Sequence, residues 1–125
     1  MKPKDDLDRH RLLMHDIASL DAEITQIKKL IASTDDAELK RSLAVIKKNR
    51  DAKLKRAIAI RKEITERIDK VEDPVCRELL RRRYIVTQKC EEIAVEMHID
   101  YSHLWGTVHK KALSMYGEKI HHRIP

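Results

Sequence analysis

Ser102, His103, Gly106, Thr107 and Lys110 follow one another at steps of 3 and 1 after an adjacent first pair. On a helix that spacing puts all five on one face. Hydroxyl, imidazole and ammonium groups can hydrogen-bond to base edges in a DNA groove. Gly106 inside a helix costs about 1 kcal/mol relative to Ala. Either a gap that lets the helix backbone approach DNA or tight packing against another helix would justify it. The opposite stripe, Leu104, Trp105, Val108, Ala112 and Met115, is apolar and is expected to face a core. Tyr101 and Trp105 carry rings able to stack on bases, although Trp105 stands at a core position of that stripe.

Other chemistry finds little purchase. Seven histidines include the adjacent pair His121-His122 near the end of the chain, and no set has ligand spacing, so no metal is expected. Cys76 and Cys90 are the only cysteines, fourteen residues apart. That is neither a disulfide framework nor a zinc site, and both are expected as reduced thiols. There is no Ser-His-Asp or Cys-His arrangement and no phosphate-cradling glycine loop. No cofactor and no enzymatic activity are expected.

The elements that must position the hydrogen-bonding face are helices. The 125 residues contain only two Gly and three Pro, and 38% are charged. Such a chain lacks the turns of a β-sandwich and the glycine loops of a doubly wound sheet. The expected class is all-α. No run of 18 apolar residues suggests a membrane span, and the start MKPKDDLDRH lacks the apolar stretch of a signal peptide. A cytoplasmic location, in a bacterial host cell, is expected.

Leu13, Ile17, Leu20, Ile24, Ile27 and Ile31 alternate steps of 4 and 3, which predicts a heptad-seamed helix from about Asp6 to Ala32. Ser33 to Asp36 breaks it, with Thr34 or Asp35 as the cap of the next helix. A second, less regular pattern runs through Leu39, Leu43, Ile46, Leu54, Ala57, Ile60, Ile64, Ile68 and Val71. It predicts one helix of about 35 residues, near 50 Å long. Two such helices joined by a short break form an antiparallel, coiled-coil-like hairpin over residues 1–72. Charge agrees: residues 5–38 hold nine acidic and four basic side chains, and residues 39–62 hold ten basic and one acidic. The surplus of the second stretch is left for an acidic protein surface or a phosphate backbone, or is simply solvated. Helix two outruns helix one, so Ile60, Ile64, Ile68 and Val71 need either the C-terminal domain or another subunit. A homodimer is expected on that ground.

Asp73 and Pro74 predict the start of a short helix running to about Ile85, with Leu79, Leu80 and Tyr84 inward and Arg81-Arg82-Arg83 as a basic cluster. Val86–Lys89 is a turn. Cys90–Met97 is a second short helix with Ile93, Ala94 and Met97 inward. Asp100 caps a last helix to about Tyr116, ended by Gly117, and residues 118–125 are a frayed tail. Two short helices, a three-residue turn and a capped third helix describe a helix-turn-helix over residues 73–117.

The stretch from Glu72 to Tyr116 resembles region 4 of sigma-70-type transcription factors. The resemblance rests on Arg83-Tyr84, then Glu91-Glu92-Ile93-Ala94, then the turn Met97–Asp100, then Lys110-Lys111-Ala112-Leu113. Small phage and prophage proteins with a coiled N-terminal half are similar in plan. Thr87 and His98 stand where that family usually has Gly. The recognition face carries no Arg, and nothing resembles the promoter-melting regions of a complete sigma factor. The resemblance implies a DNA-binding transcriptional regulator of phage or prophage origin, with double-stranded DNA as partner. It implies base-edge contacts from Ser102, His103, Thr107 and Lys110, and phosphate contacts from Gln88, Lys89, Lys111 and Arg83. The alternative reading is a module that binds host RNA polymerase or another host protein and inhibits or redirects it.

Overall fold

A computed structural model describes residues 2–121, and over them the chain is all-helical. Five helices occur in order. α1 spans Pro3–Thr34 and α2 spans Ala37–Asp69. α3 spans Pro74–Leu80 and widens into a π-helical turn over Arg81–Ile85. α4 spans Cys90–Met97. α5 opens as one α-helical turn, Tyr101–His103, widens to π over Leu104–Val108 and resumes as α over His109–His121. No helix among the described residues is long and apolar enough to cross a membrane.

The chain divides into two compact units, residues 12–59 and residues 1–11 with 60–125. In the first, Leu13, Ile17, Ile24 and Ile27 are buried as the heptad seam requires, and Ala57 is buried on α2. Asp16 meets Lys53 at 3.2 Å and Asp21 meets Arg50 at 2.8 Å, so the acidic stretch faces the basic one. Leu54, expected inward, is 39% exposed. The cap of α2 is Asp36, which accepts from the backbone N–H groups of Glu38 (2.8 Å) and Leu39 (3.1 Å). Thr34 and Asp35 therefore do not cap it. Thr34 still belongs to α1, and Asp35 is the left-handed residue of the turn, at φ 50°.

In the second unit the end of α2 finds its apolar partner within the same chain. Ile64, Ile68 and Val71 pack with Leu7 of α1, Cys76, Leu80, Tyr84 and Ile85 of α3, and Ala112 and Tyr116 of α5. Of the two coverings open to these residues, the C-terminal segment supplies it, which removes the ground for expecting another subunit there. A smaller cluster of Leu79, Ile93, Ala94 and Leu104 joins α3, α4 and α5.

A polar knot lies beside the larger cluster. Asp6 is buried, yet it accepts from Arg67 Nη1 (2.6 Å), Tyr116 Oη (2.5 Å) and Arg9 Nη2 (2.5 Å). Arg67, also buried, donates its other terminal nitrogen to Glu63 at 2.5 Å. Burial pushes the Asp6 carboxyl up, but the bonds from Tyr116 and Arg67 outweigh it and hold it below the ordinary carboxylate range.

The end of α5 differs from the expected one. Gly117 does not end the helix, which runs on to His121, so residues 118–121 are helical. The rest of the expected tail, residues 122–125 with His122 among them, lies outside the described residues. Gly117 instead serves close approach: a Cβ there would sit 2.9 Å from Pro3 Cγ.

Two outcomes test this packing. Asp6→Ala takes the carboxylate away from buried Arg67 and should cost about 3 kcal/mol in urea denaturation. Gly117→Ala gains helix propensity but forces Pro3 to shift. It should destabilise by about 1–2 kcal/mol in the same assay, where an open helical site would gain about 1 kcal/mol.

Candidate nucleic-acid interface

Asp100 positions the start of α5 as its sequence suggests. Its carboxylate accepts from the backbone N–H groups of Ser102 (3.1 Å) and His103 (3.3 Å). The preceding turn is closed by His98 in the left-handed conformation, φ 56°, ψ 40°. His98 N–H donates to the Val95 carbonyl at 3.2 Å, and Ile99 N–H donates to that of Ala94 at 3.1 Å. These two bonds are a Schellman closure, normally a glycine position. Thr87, at φ 62°, is the second left-handed residue of this region. Thr87 and His98 thus both have the backbone that favours glycine.

Leu104 locks α5 against Ile93 and Ala94 of α4 and Leu79 of α3, all buried. The opposite face is open. Ser102, His103, Gly106, Thr107 and Lys110 are all exposed. A Cβ added at Gly106 would meet nothing within 4 Å, so packing against another helix of this chain does not explain that glycine. The residue lies in the π-turn, which no periodicity of 3.6 anticipates.

The residues expected to contact phosphate divide. Arg83 donates from Nη1 to the Gln88 carbonyl at 3.0 Å. The Gln88 side chain donates to Glu96 at 2.8 Å and accepts from Arg82 at 3.2 Å. Both residues brace the α3–α4 connection. Lys111 is exposed and holds Asp73 at 2.9 Å. Arg81 and Arg82 of the basic cluster are likewise paired, with Asp69 at 2.6 Å and with Glu78 and Glu96 respectively. Lys89 and Lys110 are exposed and without an ion pair among the described residues. No side chain caps α4 at Lys89, and the Thr87 hydroxyl donates to the Val86 carbonyl.

Beside this face lies a cleft that the sequence did not suggest, because a third of its lining residues come from α1. Lys4, Asp8 and Arg11 line it from α1, and Tyr101, Trp105 and His109 line it from α5. Trp105 is thus only partly in the core; its ring N–H donates to the Cys90 carbonyl at 3.4 Å. His109 lies edge-on to Trp105 with centroids 5.0 Å apart, and its Nε2 shares a 2.7 Å hydrogen bond with the Tyr84 hydroxyl. On the other side of Tyr84, buried His10 donates from Nδ1 to the Tyr84 carbonyl at 2.7 Å. Burial lowers the pKa of both histidines; Lys4 and Arg83 lower that of His109 further, and Arg61 that of His10. No three His, Cys, Asp or Glu side chains among the described residues gather to hold a metal ion.

These shifts give the protein a pH-dependent stability. The folded chain holds His10 and His109 neutral, whereas the unfolded chain protonates them near the ordinary histidine value of 6.5. Stability is therefore lost as pH falls through about 6.5. Asp6, with its folded pKa lowered from 3.8, adds a second loss as pH falls below that value. Urea midpoints at pH 7.5, 6.0 and 5.0 should fall steadily. In His10→Gln, which keeps a donor for the Tyr84 carbonyl, the decline over that range should be visibly shallower.

No family profile, characterised protein or solved structure matches the chain.

Proposed function

We propose that this protein is a DNA-binding transcriptional regulator, similar to sigma-70 region 4 and of phage or prophage origin, in which α4, its turn and α5 act as a helix-turn-helix. Residues 1–72 would form an antiparallel hairpin for self-association or contact with RNA polymerase; the Asp16–Lys53 and Asp21–Arg50 pairs favour opposed helix directions. The protein would act by occupancy at a promoter and perform no chemistry.

One observation carries the reading. Gly106 is bare, exposed and helical, with no packing neighbour for a side chain, between hydrogen-bonding residues on an outward face. Inside this chain the glycine only costs helix stability. Close approach of the helix backbone to DNA supplies the missing reason. Ser102, His103 and Thr107 would then read base edges, with Lys110 and Lys89 on phosphates.

A second reading has its own support. The outer face of α4 is acidic, with Glu91, Glu92 and Glu96 around Val95, which is 72% exposed. Such a surface repels a phosphate backbone and suits a protein partner. On this reading the module binds host RNA polymerase and inhibits or redirects it.

Fluorescence anisotropy on promoter fragments of its own genome, at 50 and 200 mM salt, separates the two. The regulator reading expects saturable, sequence-dependent binding that weakens with salt and is lost in Ser102→Ala/His103→Ala. Gly106→Ala should raise folding stability by about 1 kcal/mol and yet weaken DNA binding. Binding that is equal on all fragments and indifferent to these substitutions rejects it, and a polymerase pull-down becomes the next experiment.

A further inference from the structure

We propose that the cleft between the start of α1 and α5 binds a nucleotide unit, its base against Tyr101 and Trp105 and its phosphate on Lys4, Arg11 and Arg83. This site shares no residue with the base-reading face and stands independently of it.

The cleft holds about 260 Å³. That lies just under the ~300–1,000 Å³ of pockets for drug-sized ligands, which suits one base with its phosphate rather than a longer stretch. One wall is aromatic. Tyr101 is 48% exposed and its ring lies 6.4 Å from that of Trp105, tilted by 56°. An exposed tyrosine beside a half-buried tryptophan is a stacking platform, and every base has a face to stack.

The other wall is cationic. Lys4 is exposed and has no ion pair among the described residues. Arg11 uses Nε on Asp8 at 2.9 Å, which leaves its two terminal nitrogens. Arg83 uses Nη1 on the Gln88 carbonyl, which leaves Nη2. Three cations and one carboxylate line the cleft, and His109, which also lines it, has its pKa lowered by burial and by the charges of Lys4 and Arg83. The cleft therefore carries a positive surplus with free guanidinium and ammonium donors, the chemistry of a phosphate site. Aromatic stacking and cationic donors within one small cavity select an anion that bears a flat ring.

The chain has a single tryptophan, and it lines this cleft, so intrinsic fluorescence reports on occupancy directly. The full-length protein would be titrated at 50 mM salt with adenosine 5′-monophosphate, adenosine, inorganic phosphate and a single-stranded ten-nucleotide DNA, with calorimetry alongside. Saturable binding of the monophosphate, tighter than adenosine or phosphate alone, supports a free-nucleotide site. Binding of the oligonucleotide with no binding of the monophosphate supports the same chemistry within a strand. Lys4→Ala should weaken the bound probe about three- to fivefold, as loss of one exposed ion pair does. Tyr101→Ala should weaken it about fivefold or more. Both positions are exposed, so thermal melts should match the parent. The proposal is overturned if neither probe saturates by 5 mM in either readout, if phosphate binds as tightly as the monophosphate, or if both variants bind like the parent. Ser102→Ala/His103→Ala should leave this titration unchanged, which keeps failure here distinct from failure of the base-reading face.

Discussion

Three distant pieces of chain meet at the carboxylate of Asp6. Arg67 near the end of α2 and Tyr116 near the end of α5 both reach Oδ2, and Arg9 holds Oδ1. A buried carboxylate is costly, and a buried ion pair often adds less stability than apolar residues of the same volume would. Its contribution is position. The three donors can be satisfied together in one arrangement, so the first turns of α1 are held against α2 and α5 rather than sliding along an apolar surface. Leu7 and Pro3 are thereby placed against the larger core and beside Gly117. Lys4, Asp8 and Arg11, on the same turns, are placed to line the cleft.

The second constraint is local and lies around α4. That helix lies between two residues in left-handed backbone, Thr87 in the connection before it and His98 directly after it. A non-glycine residue there costs of order 1 kcal/mol or more, and both are retained. The surrounding bonds outweigh that cost. His98 and Ile99 close the helix on Val95 and Ala94, and Gln88, Arg82 and Glu96 tie the connection across from α3. The turn between α4 and α5 is thus set by backbone geometry on one side and by the Asp100 cap on the other.

These constraints decide where charge remains available. The arginines of the Arg81–Arg83 run look like a phosphate-binding cluster in one dimension. In three, Arg81 and Arg82 are neutralised by acidic neighbours and Arg83 braces a carbonyl. Exposed cations of this unit without an ion pair among the described residues lie elsewhere, Lys89, Lys110 and Lys4 among them. Charge runs in a sequence overstate the field outside the protein, because they omit the acidic partners that folding brings alongside.

Much was legible in the sequence where the signal is local. Helical class, the heptad seam of α1, the caps at Asp73 and Asp100, and the outward face of Ser102, His103, Gly106, Thr107 and Lys110 all derive from spacing within a turn or two. Residue type misleads where a local rule has two solutions. Asp36 rather than Thr34 or Asp35 caps α2, because α1 extends through Thr34 and places the turn one residue later. Gly117 has the residue type of a helix stop, but Pro3 lies against it and needs the missing Cβ. Tertiary structure alone decided the rest. The covering of Ile64 and Ile68, the Asp6 knot, the His10–Tyr84–His109 contacts and the cleft each join residues tens of positions apart. No periodicity encodes such pairings; they depend on which of several compatible apolar faces bury together, and on the few buried polar groups that only one packing satisfies.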